Sequence, residues 1–395
     1  MSEAVIAGAV RTPIGRFGGM LAKITAPELG AAAVRETLRR TRIRPEQVDE
    51  VIIGNARPAG VRPNPARQVA YQAGLPVTVP AYTINKACGS GMRAIINATQ
   101  SVLLGDAQIV LAGGAESMSR VPYLLLEARW GHRLGHQTLV DGMYQDGFLC
   151  PLCNLLMGET AENLVERHSI TRQEQDEFAL RSQKLANAAI REGRFQAEIA
   201  PIEIRSSNGE ITMLSLDEHP RPDCTLEKLG RLSPVFRSDN GSVSAGNSSG
   251  ITDGAATVAV MDAGTASRLG AQPLARVLGY ATCGVDPAIM GIGPVPAIRK
   301  LMDRTGLSLE KVDLLEINEA FAAQIIACER ELRIDRERLN VNGGAIALGH
   351  PIGCSGARIV VTLLHAMQQR RARIGVAAAC ISGGLGIAMA FERLN

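Results

Sequence analysis

Arg40-Thr-Arg-Ile-Arg-Pro-Glu-Gln-Val-Asp49 returns as Arg304-Thr-Gly-Leu-Ser-Leu-Glu-Lys-Val-Asp313, at a constant offset of 264 residues. Cys88-Gly-Ser-Gly-Met-Arg93 is answered at nearly the same offset by Gly353-Cys-Ser-Gly-Ala-Arg358, each opening an apolar helix pattern. Ile109-Val-Leu-Ala112 is answered by Val376-Ala-Ala-Ala379, each followed by glycines. Chance produces one such pair; three in order predict two duplicated halves, with any site at their junction. Around these echoes, strand patterns at 4–9, 50–54, 83–84 and 109–112 alternate with helical ones at 26–40 and 91–104. That alternation predicts an α/β fold with buried, largely parallel strands.

Residues 120–250 differ from both halves. They hold the only Trp, Trp130, together with His132, His136, His168 and His219, and a long charged helix pattern over 171–191. They predict an insertion covering the junction, with the Gly/Ser/Asn loop 242–254 returning the chain to the first half. At 395 residues the chain exceeds one ordinary core, and 46% hydrophobic against 21% charged residues excludes disorder. The +3 balance has no basic run behind it, and 3% aromatics leave no platforms for stacked bases, so nucleic acid is excluded as a partner. No apolar run approaches the roughly 20 residues of a membrane span. Glu3 stands where a signal peptide carries Lys or Arg. Neither a mitochondrial presequence nor a C-terminal address is recognisable. Eight scattered Cys make no disulfide framework. A reduced, cytoplasmic protein away from membranes is expected.

Four segments can carry chemistry. Asn85-Lys-Ala-Cys-Gly-Ser-Gly91 sets Cys88 between a strand and a helix pattern, where unpaired amides and the helix dipole pull a thiol toward thiolate. The flanking Gly89 and Gly91 are expected to let a substrate approach the backbone. A Cys taken at random is more often a small buried hydrophobe, and the glycine collar is what argues for a nucleophile. Gly349-His-Pro-Ile-Gly-Cys-Ser-Gly356 places His350 in a loop before a helix, where it can serve as base, oxyanion donor or both; no GxxxxGK[ST] is present, so the loop is not a P-loop. Cys380-Ile-Ser-Gly-Gly-Leu-Gly386 ends a buried strand, in the place that 109–112 holds in the first half. Asn318-Glu-Ala-Phe-Ala322 follows the strand pattern Leu314–Ile317. Two thiols and one His in separate glycine-rich turns suggest covalent catalysis with a second acid/base.

In this order and spacing the four segments resemble the thiolase family. The resemblance covers essentially the whole chain, including Arg11-Thr-Pro-Ile-Gly15, Asn64-Pro-Ala-Arg67, Ala112-Gly-Gly-Ala-Glu-Ser-Met118, Ser244-Ala-Gly-Asn-Ser-Ser-Gly250 and 291–294. It implies a five-layered αβαβα fold of two halves (1–119 with 251–270, and 271–395) and an inserted loop domain, 120–250. The implied activity is acetyl-CoA C-acetyltransferase, a reversible Claisen condensation of two acetyl-CoA to acetoacetyl-CoA and CoA through an acetyl-Cys intermediate. The alternative is a degradative 3-ketoacyl-CoA thiolase for longer or branched chains. By the same resemblance Cys88 is the nucleophile, activated by His350. His350 and a water held by Asn318 line one oxyanion hole, the amides of Cys88 and Ser382 form a second, and Cys380 is the acid/base. Arg221, Ser249 and Ala245 are implied to contact CoA, and Met157, Met290 and Phe321 to wall the acyl pocket. CoA thioesters are substrates and no cofactor or metal is implied. The stretch 130–148 is similar to a tetramerisation loop, implying a homotetramer.

The family usually has Gly where this chain has Ser382, Gln or Met at Leu385, and in acetoacetyl-type members His at Leu156. These departures bear on substrate preference. His132-x-x-x-His136 with Cys150-x-x-Cys153 has zinc-like ingredients at irregular spacing, and no metal is expected there. A relative that binds acyl-CoA without turnover would lack Cys88, His350 or Cys380; all three are present.

Overall fold

The computed structural model describes residues 3–205 and 208–394; Met1, Ser2 and Asn395, at the ends of the expected halves, lie outside them. In chain order the framework is β1 (Ala4–Arg11), α1 (Ala26–Thr41), β2 (Glu50–Gly54), α2 (Pro65–Gln72), β3 (Ala81–Ile84), α3 (Ser90–Leu104) and β4 (Ile109–Ser117). The inserted stretch carries α4 (Met157–His168) and α5 (Arg172–Arg191). There follow β5 (Thr252–Asp262), β6 (Ala275–Gly284), α6 (Pro294–Thr305), β7 (Leu314–Ile317), α7 (Ala322–Leu332), α8 (Ile352–Arg370), β8 (Ile374–Ile381) and β9 (Leu385–Arg393). Thr25 and Thr171 are not in their helices: each caps one, accepting from the amide three residues on (Glu28, Glu174), whose side chain returns to the cap.

The strands run β7-β8-β9-β6-β1-β5-β4-β2-β3. Two half-sheets meet only where Val5 faces Arg276 and Ile6 faces Ala275. Within each half the duplicates take the same places, β2-β4-β5-β1 against β7-β8-β9-β6. The echo is also chemical: Asp49 Oδ2 accepts from the amides of Gln108 and Ile109, and Asp313 Oδ2 from those of Arg373 and Ile374, all at 2.7–2.9 Å. The expected dominance of parallel strands is not found. Only β2–β3, β2–β4 and β7–β8 are parallel. Strand–helix alternation does not ensure parallel pairing: β1 and β6 are each followed by a helix yet pair antiparallel, and β8 and β9 are joined by the tight turn 382–384, which forces an antiparallel pair.

Period-2 burial sorts the layers. On β4, Val110 and Ala112 face a core shared with α3 and α8, while Ile109, Leu111 and Ala115 face α1 and α2. On β8, Ala377, Ala379 and Ile381 face α3 and α8, and Val376 and Ala378 face α6 and α7. The result is five layers, αβαβα, with α3 and α8 packed together in the middle as the resemblance implied. A Cβ on Gly91 would lie 2.7 Å from the Ala357 nitrogen, and one on Gly356 2.6 Å from the Met92 nitrogen. These reciprocal glycines let the two central helices touch backbone to backbone. Gly89 faces Ile381 Cδ1 at 2.5 Å in the same way. The collar glycines therefore seat one half on the other. Gly91→Ala would prise the helices apart, at a cost of roughly 1–3 kcal/mol.

Candidate active site

Cys88 lies in a single turn, Ala87–Gly89, at the start of α3. Ala87 is held at φ 43°, a left-handed conformation unusual for a residue with a Cβ. Ser90 holds the turn: its hydroxyl donates to the Ala87 carbonyl at 2.7 Å and accepts from the Lys86 amide at 2.8 Å. Cys88 is half-buried. Burial pushes its thiol up, against the Ser382 amide, the nearby Arg57 and its own amide, all of which favour thiolate. This corrects the sequence expectation of a lowered pKa: desolvation is not written in the local pattern and here outweighs the helix start. A thiolate at Cys88 requires a base.

His350 precedes Pro351 and α8, is 7% exposed, and donates its amide to Gly250 O at 2.9 Å. Burial, and then Arg358 and Arg57, hold its pKa down to about 3, so the imidazole is neutral. Its Nδ1 is 2.5 Å from Ser355 Oγ, which lies 3.0 Å from Pro351 O. A carbonyl only accepts, so the Ser355 hydroxyl donates to it and accepts from Nδ1–H. Nε2 is then the unprotonated nitrogen, buried without a hydrogen-bond partner among the described residues. Asn318 follows β7; its backbone amide donates to Ala378 O at 2.9 Å, and its fully buried side chain has no partner among the described residues at either Nδ2 or Oδ1. Unpaired buried polar atoms are costly unless a ligand completes them.

Cys380 closes β8 opposite Gly386 and is fully buried. Burial first, then Cys88 and Cys328, push its thiol well up. It packs in one cluster with Met290, Phe321 and Val243, against Met157 and Phe236, so the segment inserted between the halves covers this side. Phe236 meets Phe321 edge to face at 6.1 Å. In the turn 382–384, Gly383 and Gly384 have φ of 84° and 80°, whereas Ser382 has no positive φ. A side chain at 382 is therefore unstrained, and the departure from glycine leaves the amide pointing at the Cys88 sulfur.

The remaining expected residues lie outward. The Ser249 amide donates to Ala320 O at 3.0 Å and Ser248 pairs with Phe321, so loop 244–250 lies between the Asn318 segment and His350; Ala245 is exposed on it. Arg221, also exposed, lines a cavity of about 270 Å³ with Gln183, Lys184, Asn187 and Arg191. Sequence reasoning missed three residues. Ser355 fixes the His350 tautomer. Glu116 accepts from Asn55 Nδ2 (2.7 Å), the Ala56 amide (2.9 Å) and the Gly353 amide (2.8 Å), tying the end of β2 to the start of α8. Arg57, buried beside it, acts electrostatically on both Cys88 and His350. Of the zinc-like set, the His132 ring is engaged by Gly135 O and Gln137. No group of three or more His, Cys, Asp or Glu among the described residues is arranged to hold a metal.

Residues 4–264 match the thiolase N-terminal domain and 271–393 the thiolase C-terminal domain. The chain belongs to the thiolase family. As a member it is an acyltransferase. It is 53% identical to an acetyl-CoA acetyltransferase of Pseudomonas aeruginosa over 393 residues, covering 100% of both chains. To the acetyl-CoA acetyltransferase of Escherichia coli K12 it is 50% identical over 396 residues, again covering 100% of both. The Bacillus anthracis acetyl-CoA acetyltransferase superposes with a TM-score of 0.97 at 50% identity, over 100% of this chain and 99% of that one. Human mitochondrial 3-ketoacyl-CoA thiolase in complex with CoA gives 0.96 at 43%, over 100% and 98%. No helix among the described residues is long and apolar enough to cross a membrane.

Proposed function

We propose that this thiolase is an acetyl-CoA C-acetyltransferase that condenses two acetyl-CoA reversibly to acetoacetyl-CoA and CoA. The observation that carries the mechanism is a pair of incomplete polar groups, His350 Nε2 and the Asn318 side-chain amide, each buried without a partner among the described residues. Beside them stands a Cys88 thiol that burial pushes up, that receives the Ser382 amide and whose charge Cys380 feels. His350 Nε2 takes the Cys88 proton, and the thiolate attacks the acetyl-CoA carbonyl. The amides of Cys88 and Ser382 hold the oxyanion. His350 returns the proton to the departing CoA sulfur, leaving acetyl-Cys88. Cys380 then passes its own proton to His350 Nε2, and its thiolate removes an α-proton from a second acetyl-CoA. The enolate oxygen is held by the Nε2–H that His350 has gained and by Asn318 through a water, the enolate carbon attacks acetyl-Cys88, and Cys88 leaves as thiolate and takes the proton from His350. In the cleavage direction the Cys380 thiol, which burial holds protonated, gives its proton to the departing enolate, a far stronger base than its own thiolate.

Met157, Met290 and Phe321 wall the acyl end, Ser249 and Ala245 contact the pantetheine, and Arg221 with Lys184 and Arg191 meets the phosphorylated nucleotide of CoA; the CoA complex of the human relative supports that binding. Halves 1–119 with 251–270 and 271–395, a loop domain 120–250, a homotetramer built through 130–148, a cytoplasmic location and a place in fatty acid metabolism complete the proposal. Rapid quench with acetyl-CoA and peptide mapping should find acetyl on Cys88; acetyl on Cys380 or Cys354 overturns the assignment. CoA-dependent cleavage should be fastest for acetoacetyl-CoA. Preference for longer or 2-methyl 3-ketoacyl-CoAs would establish the degradative alternative.

A further inference from the structure

Cys150-Pro-Leu-Cys153 is absorbed neither by the proposed catalysis nor by metal binding. It forms the turn of a short hairpin in which Leu149 pairs with Leu156 and Cys150 with Leu155. The Asn154 amide closes the turn on the Cys150 carbonyl at 2.8 Å, with Asn154 at φ 55°. This brings the Cys153 thiol into a hydrogen bond with the Cys150 sulfur, which also receives the amides of Leu152 and Cys153. A further donor comes from outside the hairpin, the amide of Gly383. The Leu152 side chain rests on the same residue, 3.8 Å from where a Gly383 Cβ would stand. The preceding amide, that of Ser382, points at Cys88. Adjacent amides of one turn thus hold the nucleophile and the dithiol.

We propose that Cys150 and Cys153 form a second reactive site, a dithiol that low-molecular-weight disulfides oxidise to an intramolecular disulfide, and whose oxidation releases the turn that aims the Ser382 amide. Cys153 is the half-buried partner and Cys150 the buried one. The Cys153 thiolate attacks one sulfur of the small disulfide, a mixed disulfide forms on Cys153, and the first small thiolate leaves with the Cys153 proton. Cys150 then attacks the Cys153 sulfur and expels the second small thiolate. Two protein thiols and one disulfide become one protein disulfide and two thiols. The asymmetry suits these roles: burial pushes both sulfurs up, but for Cys150 the surrounding N–H and S–H donors outweigh it and bring it below the ordinary thiol range, while Cys153 stays above it. Cys150, the buried partner, is therefore the resolving thiol, and its proton leaves with the second small thiolate. Once in a disulfide the Cys150 sulfur is drawn toward Cys153 and is a weaker acceptor, so the Gly383 amide loses its partner.

The exchange chemistry stands on the hairpin alone; its effect on turnover rests on the proposed role of the Ser382 amide. The test is incubation of the whole protein in graded ratios of oxidised to reduced glutathione, followed by peptide mass mapping and acetoacetyl-CoA cleavage. The expected result is a Cys150–Cys153 disulfide that dithiothreitol reverses, with kcat about ten-fold or more lower in the oxidised form, since lost oxyanion donors cost on the order of 100-fold. Cys153→Ser should keep basal kcat and lose the reversible inhibition. Cys150→Ser should stall with glutathione attached to Cys153. No Cys150–Cys153 disulfide at ratios that oxidise other cysteines, or equal inhibition of Cys153→Ser, overturns the site. Formation of the disulfide with unchanged kcat overturns its link to the turn. Because mapping needs no turnover, a protein inactive in the cleavage assay still tests the dithiol.

Discussion

Removing one hydroxyl, by Ser355→Ala, should slow the enzyme without unfolding it. The Ser355 hydroxyl accepts from His350 Nδ1–H at 2.5 Å and thereby keeps Nε2 free to take the Cys88 proton. Without it, the productive tautomer holds a buried N–H with no acceptor, a penalty of ~1–3 kcal/mol. That tautomer becomes about 5- to 150-fold less populated, and acyl-enzyme formation slows by the same factor. The cost to folding is small: Pro351 O, which loses the hydroxyl, still accepts from the Cys354 and Ser355 amides at 2.9 Å, and Ala favours the helix. Rapid-quench acetylation and steady-state cleavage provide the assay, with kcat falling and KM nearly unchanged, because Ser355 reaches the reaction only through His350. Acetylation within about two-fold of wild type, at unchanged circular dichroism, would show that the tautomer is fixed by something else.

Cys380→Ala should still form the acetyl-enzyme but lose exchange of the acetyl-CoA α-protons with deuterated solvent; exchange at the wild-type rate would move the acid/base to His350. Ser382→Gly should leave acetoacetyl-CoA cleavage similar and widen tolerance for 2-methyl or longer chains, because the amide already occupies the donor position; a uniform loss of about 100-fold would mean that the hydroxyl itself is a donor. His350 stays neutral down to about pH 3 in the fold, whereas in the unfolded chain it takes up a proton near pH 6.5. Its contribution is therefore present above pH 6.5 and lost as pH falls toward 3, about 2 kcal/mol of it by pH 5. Glu316, raised by burial to about 8, acts with the opposite slope in both proteins and cancels when denaturation of wild type is compared with His350→Asn. Parallel stability curves between pH 7 and 5 would refute the buried neutral imidazole.

Legibility followed locality. Cys88, His350, Asn318 and Cys380 stood out as candidates because each sits where a strand or glycine-rich loop meets a helix or turn, a pattern a few residues long. The equivalent places of the strands in the two half-sheets were foreshadowed by the 264-residue echo, whereas the five layers came from the family resemblance. What the sequence hid needs contact across the fold. Glu116 bonds the Gly353 amide 237 positions away, and nothing near either residue signals the other. The Cys88 thiol was misjudged for the same reason, since the helix start is local and burial between two halves is not. The parallel-strand expectation failed because a tight turn and a long insertion return antiparallel strands, β9 and β5, beside β8 and β4.

The duplication shows how one fold element came to orient two different reagents. At an offset of 265 residues Ser90 and Ser355 occupy the same place, each one residue before the glycine that seats the opposing central helix. Ser90 turns its hydroxyl back on the Lys86 amide and so shapes the strained Ala87–Gly89 turn that presents Cys88. Ser355 turns back on Pro351 O and the His350 ring. The cysteine inside the second motif, Cys354, is buried, and burial pushes its thiol up to about 12, so that half offers no competing nucleophile. Because Gly91 and Gly356 bring the two helix starts into direct contact, the proposed nucleophile of one half and the proposed base of the other are positioned by the same packing that joins the halves. A change that separates α3 from α8 should therefore slow acylation before it costs the fold, since proton transfer from Cys88 to His350 tolerates far less displacement than a hydrophobic core does.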